Sequence, residues 1–230
     1  LVPTIYSFLL DIYAKGNYNI PSLRLCISGG ASLPETLLHR VEEVLGVTVI
    51  EGYGLTETSP VLSVNSASEG SVPGSVGKPL ANVKLKIVDE SGASISQEKV
   101  GEILVKGPTI MGSYWKRPDE TKLAFDEDGW FRTGDLGHLD KDNRLYISAG
   151  RKKDLIIRAG ENVSPLVIEN RLIQHPQVTE AAAVGIPHDR LGEKIKACVV
   201  LRENSEVTET SIKSFCKETL PAYMTPDIVQ

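Results

Sequence analysis

Leu23-Arg24-Leu25-Cys26-Ile27-Ser28-Gly29-Gly30-Ala31-Ser32 starts as a buried-strand pattern and ends in residues with little or no side chain. A strand that runs into small residues lets a ligand approach the main chain closely. Beyond it Leu37, Leu38, Val41, Val44 and Leu45 recur at helical spacing and Gly46 follows, which predicts a helix with one apolar face and a glycine stop. Ser32 and Glu35 have the spacing of a capping box, with Pro34 tolerated in the first turn. Val47-Thr48-Val49-Ile50 predicts a second strand, leading into a loop Glu51-Gly52-Tyr53-Gly54-Leu55-Thr56-Glu57-Thr58. Two strands that end in glycine loops on either side of one helix predict an open α/β layer. In such layers ligands gather at the carboxyl ends of strands, so the two loops are expected to share a crevice.

Toward the start, Ile5, Phe8, Leu9, Ile12 and Tyr13 predict a core-facing helix over residues 4–15, stopped by Gly16 and Asn17. Residues 59–75 are rich in Ser, Gly and Pro and predict a loop. From Gly77 the texture changes. Val83, Leu85 and Ile87 alternate with Lys84 and Lys86, and Gly101 to Gly107 and Arg144 to Ser148 read as further strands of a small barrel or sandwich. A helix around Pro118 to Phe125 interrupts it. The charged run Gly150-Arg151-Lys152-Lys153-Asp154 then divides the chain. Beyond it, helices near 164–174 and 208–220 alternate with strands near 181–186 and 194–201, a small α+β unit. The fold class is therefore α/β and α+β multidomain, with part of an α/β subdomain at 1–72, a β-barrel-like subdomain at 73–150 and an incomplete α+β lid at 151–230.

Composition narrows the function. With 41% hydrophobic and 24% charged residues the chain is an ordinary globular protein. A net charge of −5, with no basic cluster larger than Arg151-Lys152-Lys153, argues against a nucleic-acid partner. Cys26, Cys198 and Cys216 lack zinc or disulfide spacing and read as small core residues, which points to a reducing cytoplasm. No apolar run reaches about 18 residues, so no transmembrane segment is expected, while peripheral membrane contact stays open. Leu1-Val2-Pro3-Thr4 lacks a signal-peptide pattern and reads as an internal cut. His39, His138, His175 and His188 have no partner at metal or catalytic spacing and read as surface residues.

The chemistry resides in the glycine loops. Tyr53 offers an aromatic face between glycines, and stacking a base on such a ring contributes about 1 to 3 kcal/mol. Thr56 supplies a hydroxyl for a phosphate oxygen. Glu57 supplies the carboxylate that magnesium combines with phosphate oxygens. Asp135, in Trp130-Phe131-Arg132-Thr133-Gly134-Asp135, is a candidate acceptor for two ribose hydroxyls, at about 1.5 to 3 kcal/mol for a charged acceptor.

Taken in order, Tyr53-Gly54-Leu55-Thr56-Glu57, Gly101-Glu102-Ile103 through Gly107, the Trp130 to Asp135 run, the charged divide and Gly160-Glu161-Asn162-Val163-Ser164-Pro165 resemble the adenylate-forming enzymes, specifically acyl-CoA synthetases. The resemblance spans essentially the whole chain. It implies that Gly30, Ala31 and Ser32 line adenine together with Glu51, Gly52, Tyr53 and Gly54. It further implies that Thr56 contacts the α-phosphate, that Glu57 holds Mg2+, and that Asp135 and Arg151 hold ribose and nearby phosphate oxygens. Thr56, Glu57 and Arg151 are thus the catalytic candidates, Lys153 falls at the family's hinge, and Gly160 falls where CoA passes. ATP, Mg2+ and CoA are the implied cofactors and a small carboxylic acid the substrate, joined through an acyl-adenylate.

The same resemblance implies roughly the latter half of such an enzyme, with the phosphate-loop lysine upstream of Leu1 and the lid lysine beyond Gln230. Ile157 and Asn162 match choices common among fatty acyl ligases, which points to a medium- or long-chain acid. Two rival readings remain open at this level: an adenylation module that serves a carrier-protein thiol, and a nucleotide-binding module without turnover.

Overall fold

The computed structural model describes residues 1–16, 18–68 and 70–230. They form two compact units, Leu1–Ile147 and Ser148–Gln230.

Unit 1 opens with helix α1 (Pro3–Lys15), strand β1 (Leu25–Ser28), helix α2 (Glu35–Leu45) and strand β2 (Thr48–Gly54). β1 and β2 are parallel with Leu25 opposite Thr48 and Ser28 opposite Glu51, as the α/β reading requires. Strands β3 (Val61–Val64) and β4 (Lys78–Pro79) extend the sheet antiparallel in the order β1-β2-β3-β4. Val49, Leu38, Val41 and Cys26 pack in the core beneath α2. Gly46 takes the left-handed conformation at φ 65° and its N–H closes on Glu42 O, as the glycine stop predicts.

Several local expectations fail, each for a physical reason. α1 buries Tyr6 and Leu10, one turn apart, whereas Ile5, Phe8 and Ile12 are exposed. Periodicity located the helix but chose the wrong face of a helix that is apolar nearly all round. The Asn17 part of its expected stop lies outside the described residues. The Ser32–Glu35 capping box does not form. Pro34, with extended dihedrals, stands just before the helix, and its carbonyl accepts the N–H groups of Leu37 and Leu38. Glu51 to Gly54 belong to β2 rather than to a loop, because β3 arises inside the expected 59–75 loop and pairs with them. Buried Asn65 ties the segment after β3 back to β2: its Nδ2 donates to Ser75 O at 2.6 Å and to Glu51 O at 3.3 Å.

A second sheet is built from β5 (Lys84–Val88), β6 (Gly101–Lys106), β7 (Phe131–Leu139) and β8 (Leu145–Arg151), in the order β5-β6-β7-β8. β5, β6 and β7 pair antiparallel, and helix α3 (Pro118–Ala124) sits in the β6–β7 connection. Leu62, Val83, Ile103, Val105 and Phe131 share one core. The strands fall where the sequence expects a small β subdomain, but they share one compact unit with the first sheet. The boundary between the two units falls inside β8.

Unit 2 contains the hairpin β9 (Ile156–Arg158) and β10 (Glu161–Val163), helix α4 (Pro165–Ile173), the long hairpin β11 (Val178–His188) and β12 (Gly192–Leu201), helix α5 (Glu209–Lys217) and strand β13 (Ile228–Val229). The sheet runs β10-β9-β12-β11, with β13 parallel to β12. Thr208 caps α5 by accepting from Ser211 N–H at 3.2 Å. Arg158 donates to Tyr223 O at 2.7 Å and to Asp227 Oδ1 at 2.8 Å, fastening the last ten residues to β9. Of the three cysteines, Cys26 and Cys216 are core residues as expected, but Cys198 is exposed on β12. Alternation along that two-faced strand turns it away from buried Ala197.

Gly54 exemplifies a site where the backbone permits one residue only. A Cβ there would overlap Pro60 O and crowd Val61 Cα. Gly54→Ala is therefore expected to destabilise the protein by about 3 kcal/mol or more, read as a lower urea midpoint; an unchanged midpoint would show that the 54–61 turn yields easily.

Candidate functional site

The carboxyl ends of β1 and β2 lie side by side, and the segments that leave them carry most of the predicted residues. A Cβ on Gly29 would stand 3.2 Å from Gly52 O, so the two glycine runs touch through their main chains. Gly30, at φ 84°, turns the chain outward, and Gly30, Ala31 and Ser32 are exposed to solvent. Glu51 differs from its neighbours: its side chain is 4% exposed and Oε2 accepts from Leu33 N–H at 3.2 Å.

Burial shifts the Glu51 carboxyl from the ordinary range up to about 7, opposed by the Leu33 hydrogen bond. The folded protein then holds a proton that the unfolded chain releases at lower pH. Its contribution to stability is full below the ordinary carboxyl range and is lost as pH rises through about 7.

Tyr53 and Asp135 meet across the two sheets of unit 1. The Tyr53 phenol donates to Asp135 Oδ2 at 2.5 Å. Asp135 is 6% exposed, and a bulge in β7 aims it. Gly134 adopts φ 75°, and the β6–β7 register shifts between Glu102 and Leu104. Thr133 Oγ1 donates to Ile103 O at 2.8 Å and accepts from Asp135 N–H at 3.1 Å, fixing the bulge.

After β2 the chain makes a single tight turn, Thr56–Thr58. Buried Thr58 holds it: the hydroxyl accepts from Leu55 N–H at 3.0 Å and lies 2.9 Å from Leu55 O and Pro60 O, to one of which it donates. Thr56 is left exposed beside it and Glu57 half-buried. Glu57 is gripped twice by the segment between β6 and α3. Its carbonyl accepts from Met111 N–H at 2.8 Å, and its Oε1 accepts from the Tyr114 phenol at 2.9 Å. Tyr114 is the residue sequence reasoning missed. The aromatic hydroxyl was visible in Ser113-Tyr114-Trp115, but nothing local to it points to a carboxylate 57 positions earlier.

Among the described residues no group of three or more His, Cys, Asp or Glu could hold a metal ion. A single carboxylate such as Glu57 can hold a magnesium ion only together with other donors, such as phosphate oxygens or water. Arg151, Lys153 and Gly160 belong to unit 2. Arg151 ends β8 and is exposed, and Lys153 is exposed in the short turn Lys152–Asp154. Gly160 (φ 86°) and Ala159 (φ 53°) form the two-residue turn between β9 and β10, with Ile157 exposed on the hairpin.

Comparison with known proteins agrees with this geometry. The family model described as AMP-binding enzyme matches residues 1–115, and the model for the AMP-binding enzyme C-terminal domain matches 167–230. The chain is 40% identical to an oxalate–CoA ligase of Arabidopsis thaliana, over 98% of this chain and 44% of that protein. It is 38% identical to a long-chain-fatty-acid–CoA ligase of Bacillus subtilis, over 97% of this chain and 40% of that one. An O-succinylbenzoate coenzyme A synthetase from Bacillus subtilis, solved in complex with ATP and magnesium ion, superposes with a TM-score of 0.85 at 35% identity, covering 100% of this chain and 47% of that chain. This chain belongs to the AMP-binding enzymes. It spans less than half the length of the relatives it matches.

Replacing Tyr53 by Phe removes the donor to a buried carboxylate. Tyr53→Phe should cost about 1.5 to 3 kcal/mol of stability, measured by denaturant unfolding, while Tyr114→Phe, whose acceptor is half-buried, should cost less. The reverse order would mean that Asp135 is satisfied by its other contacts.

Proposed function

We propose that the protein activates a carboxylic acid with ATP, forming an acyl-adenylate and then an acyl-CoA thioester. The observation that carries this reading is the pairing of Tyr53 with buried Asp135 beside the exposed Gly30-Ala31-Ser32 main chain. An aromatic face, a charged acceptor and open backbone groups are thereby all supplied by unit 1. In this reading Gly30 to Ser32 and the main chain from Glu51 to Gly54 border adenine, with Tyr53 against the ring. Asp135 accepts from the ribose hydroxyls, Thr56 meets the α-phosphate, and Glu57, steadied by Tyr114, offers its second oxygen to magnesium. A bound magnesium ion would neutralise phosphate charge that otherwise repels the attacking carboxylate. The chain's own part is orientation: carboxylate and triphosphate react only when held together in line.

In this reading residues 1–72 and 73–150 form the nucleotide side, and 151–230 the lid with Arg151, the hinge at Lys153 and a CoA-facing turn at Gly160. A medium- or long-chain fatty acid is the favoured substrate, on the strength of Ile157 and Asn162. The kinship with ligases named for oxalate and for long-chain fatty acids makes the acid the point to test. ATP–pyrophosphate exchange by the full-length protein, across a panel from oxalate to palmitate, decides it. Exchange with dicarboxylates alone would overturn the fatty-acid assignment, and no exchange with any acid would overturn the activity.

Two variants probe the roles separately. Asp135→Ala should weaken ATP binding by about 1.5 to 3 kcal/mol, or roughly ten- to a hundredfold in calorimetry; unchanged affinity would remove Asp135 from the site. Lys153→Pro fixes φ near −65° and removes a donor, so it should slow adenylation and thioester formation unequally in single-turnover assays, with Lys153→Ala mild. Equal slowing of both steps, with Lys153→Ala equally impaired, would show that Lys153 acts through its charge and is no hinge.

A further inference from the structure

Glu51 Oε1, Ser28 Oγ and Ser63 Oγ are buried and have no hydrogen-bond partner among the described residues. Glu51 and Ser28 are register partners across β1 and β2, and Ser63 opposes Tyr53 across β2 and β3. Alternation along β2 places Glu51 and Tyr53 on one face, so the three unmet atoms line the face of the sheet that leads to Tyr53 and Asp135. Glu51 is distinctive because its other oxygen is committed. Oε2 accepts from Leu33 N–H, and Leu33 is the buried residue that closes the exposed Gly30-Ala31-Ser32 run.

We propose that Glu51 is a positioning residue: its carboxyl latches the 29–33 segment to β2 and takes up a proton when an anionic nucleotide arrives. The proposal rests on the nucleotide reading of this cleft. Glu51 is not needed as a direct contact, since its side chain faces inward. Ser28 from β1, Leu33 from the segment after it and Asn65 after β3, which donates to the Glu51 carbonyl, are all uncharged. The titratable groups linked to this region are Tyr53 on the same strand, Asp135 through it, and Glu42 of α2, whose Oε1 accepts from Val49 N–H.

With burial holding the Glu51 carboxyl at about 7, both protonation states are populated near neutral pH. In the nucleotide reading the bound triphosphate brings negative charge to the end of the same strand, toward Thr56, and disfavours the ionised form, so binding and protonation assist one another reciprocally. Nucleotide affinity therefore falls as pH rises through about 7. Glu51→Gln keeps an acceptor for Leu33 N–H and an uncharged partner at Oε1, but cannot titrate.

The test combines two readings on the wild-type protein and Glu51→Gln. First, the Leu33 amide resonance is followed across pH without nucleotide. Second, ATP binding is measured by calorimetry in two buffers of different ionisation enthalpy, near neutral pH and from about pH 6 to about pH 8.5. The Leu33 amide should shift with a midpoint near neutrality in the wild type and stay flat in Glu51→Gln. Wild-type binding should take up a larger fraction of a proton than the variant, the subtraction cancelling the nucleotide's own phosphate ionisation. Wild-type affinity should drop by about tenfold more than the variant's over that range, the equivalent of one unit of coupling. A Leu33 amide that ignores pH, or equal proton uptake by the two proteins, overturns the proposal. Leu33 titration without any ATP binding upholds the latch and sinks the nucleotide reading instead.

Discussion

The Tyr53 phenol bonded to Asp135 joins residues 82 positions apart and ties the first sheet of unit 1 to the second. A carboxylate taken out of water is costly unless it is hydrogen-bonded, and the donor built into the opposing sheet offsets part of that cost for Asp135. The bulge at Gly134 and the Thr133 hydroxyl serve the same end, aiming one carboxylate. The result is a carboxylate whose orientation is set by the protein's own hydrogen bonds; orientation in advance is how binding energy is kept from being spent on ordering side chains.

The Tyr114–Glu57 pair repeats this logic at lower burial. In both cases an aromatic hydroxyl from a distant segment restrains a carboxylate by one oxygen. Each carboxylate is thereby held in one orientation by a residue far away in sequence.

Periodicity recovered the elements whose pattern is strong: α2 with its glycine stop, the alternating strand at 83–87 and the helix–strand order of unit 2. It failed where a residue's role depends on what lies across from it. β3 was hidden in a Ser, Gly and Pro-rich stretch because a four-residue strand is specified by its partner β2 more than by its own composition. α1 was placed correctly and turned the wrong way, since an apolar pattern broader than one stripe does not say which stripe is inside. The candidate residues at Tyr53, Glu57 and Asp135 were found through motifs. Their mutual bonds, and the inward turn of Glu51, exist only in three dimensions, where donors separated by 57 or 82 positions converge.

Unit 2 is closed by a side chain as well as by its sheet. Arg158 reaches residues 65 and 69 positions later, so the guanidinium completes a loop that encloses most of the unit. Closing a loop of that length carries an entropic cost that no local contact offsets in advance. The segment carrying Tyr223 and Asp227 is therefore expected to dock last, after the β11–β12 hairpin has formed from neighbouring residues. A chain emerging in order from N- to C-terminus would hold Arg158 and the β12 edge waiting until Tyr223, Asp227 and β13 are available.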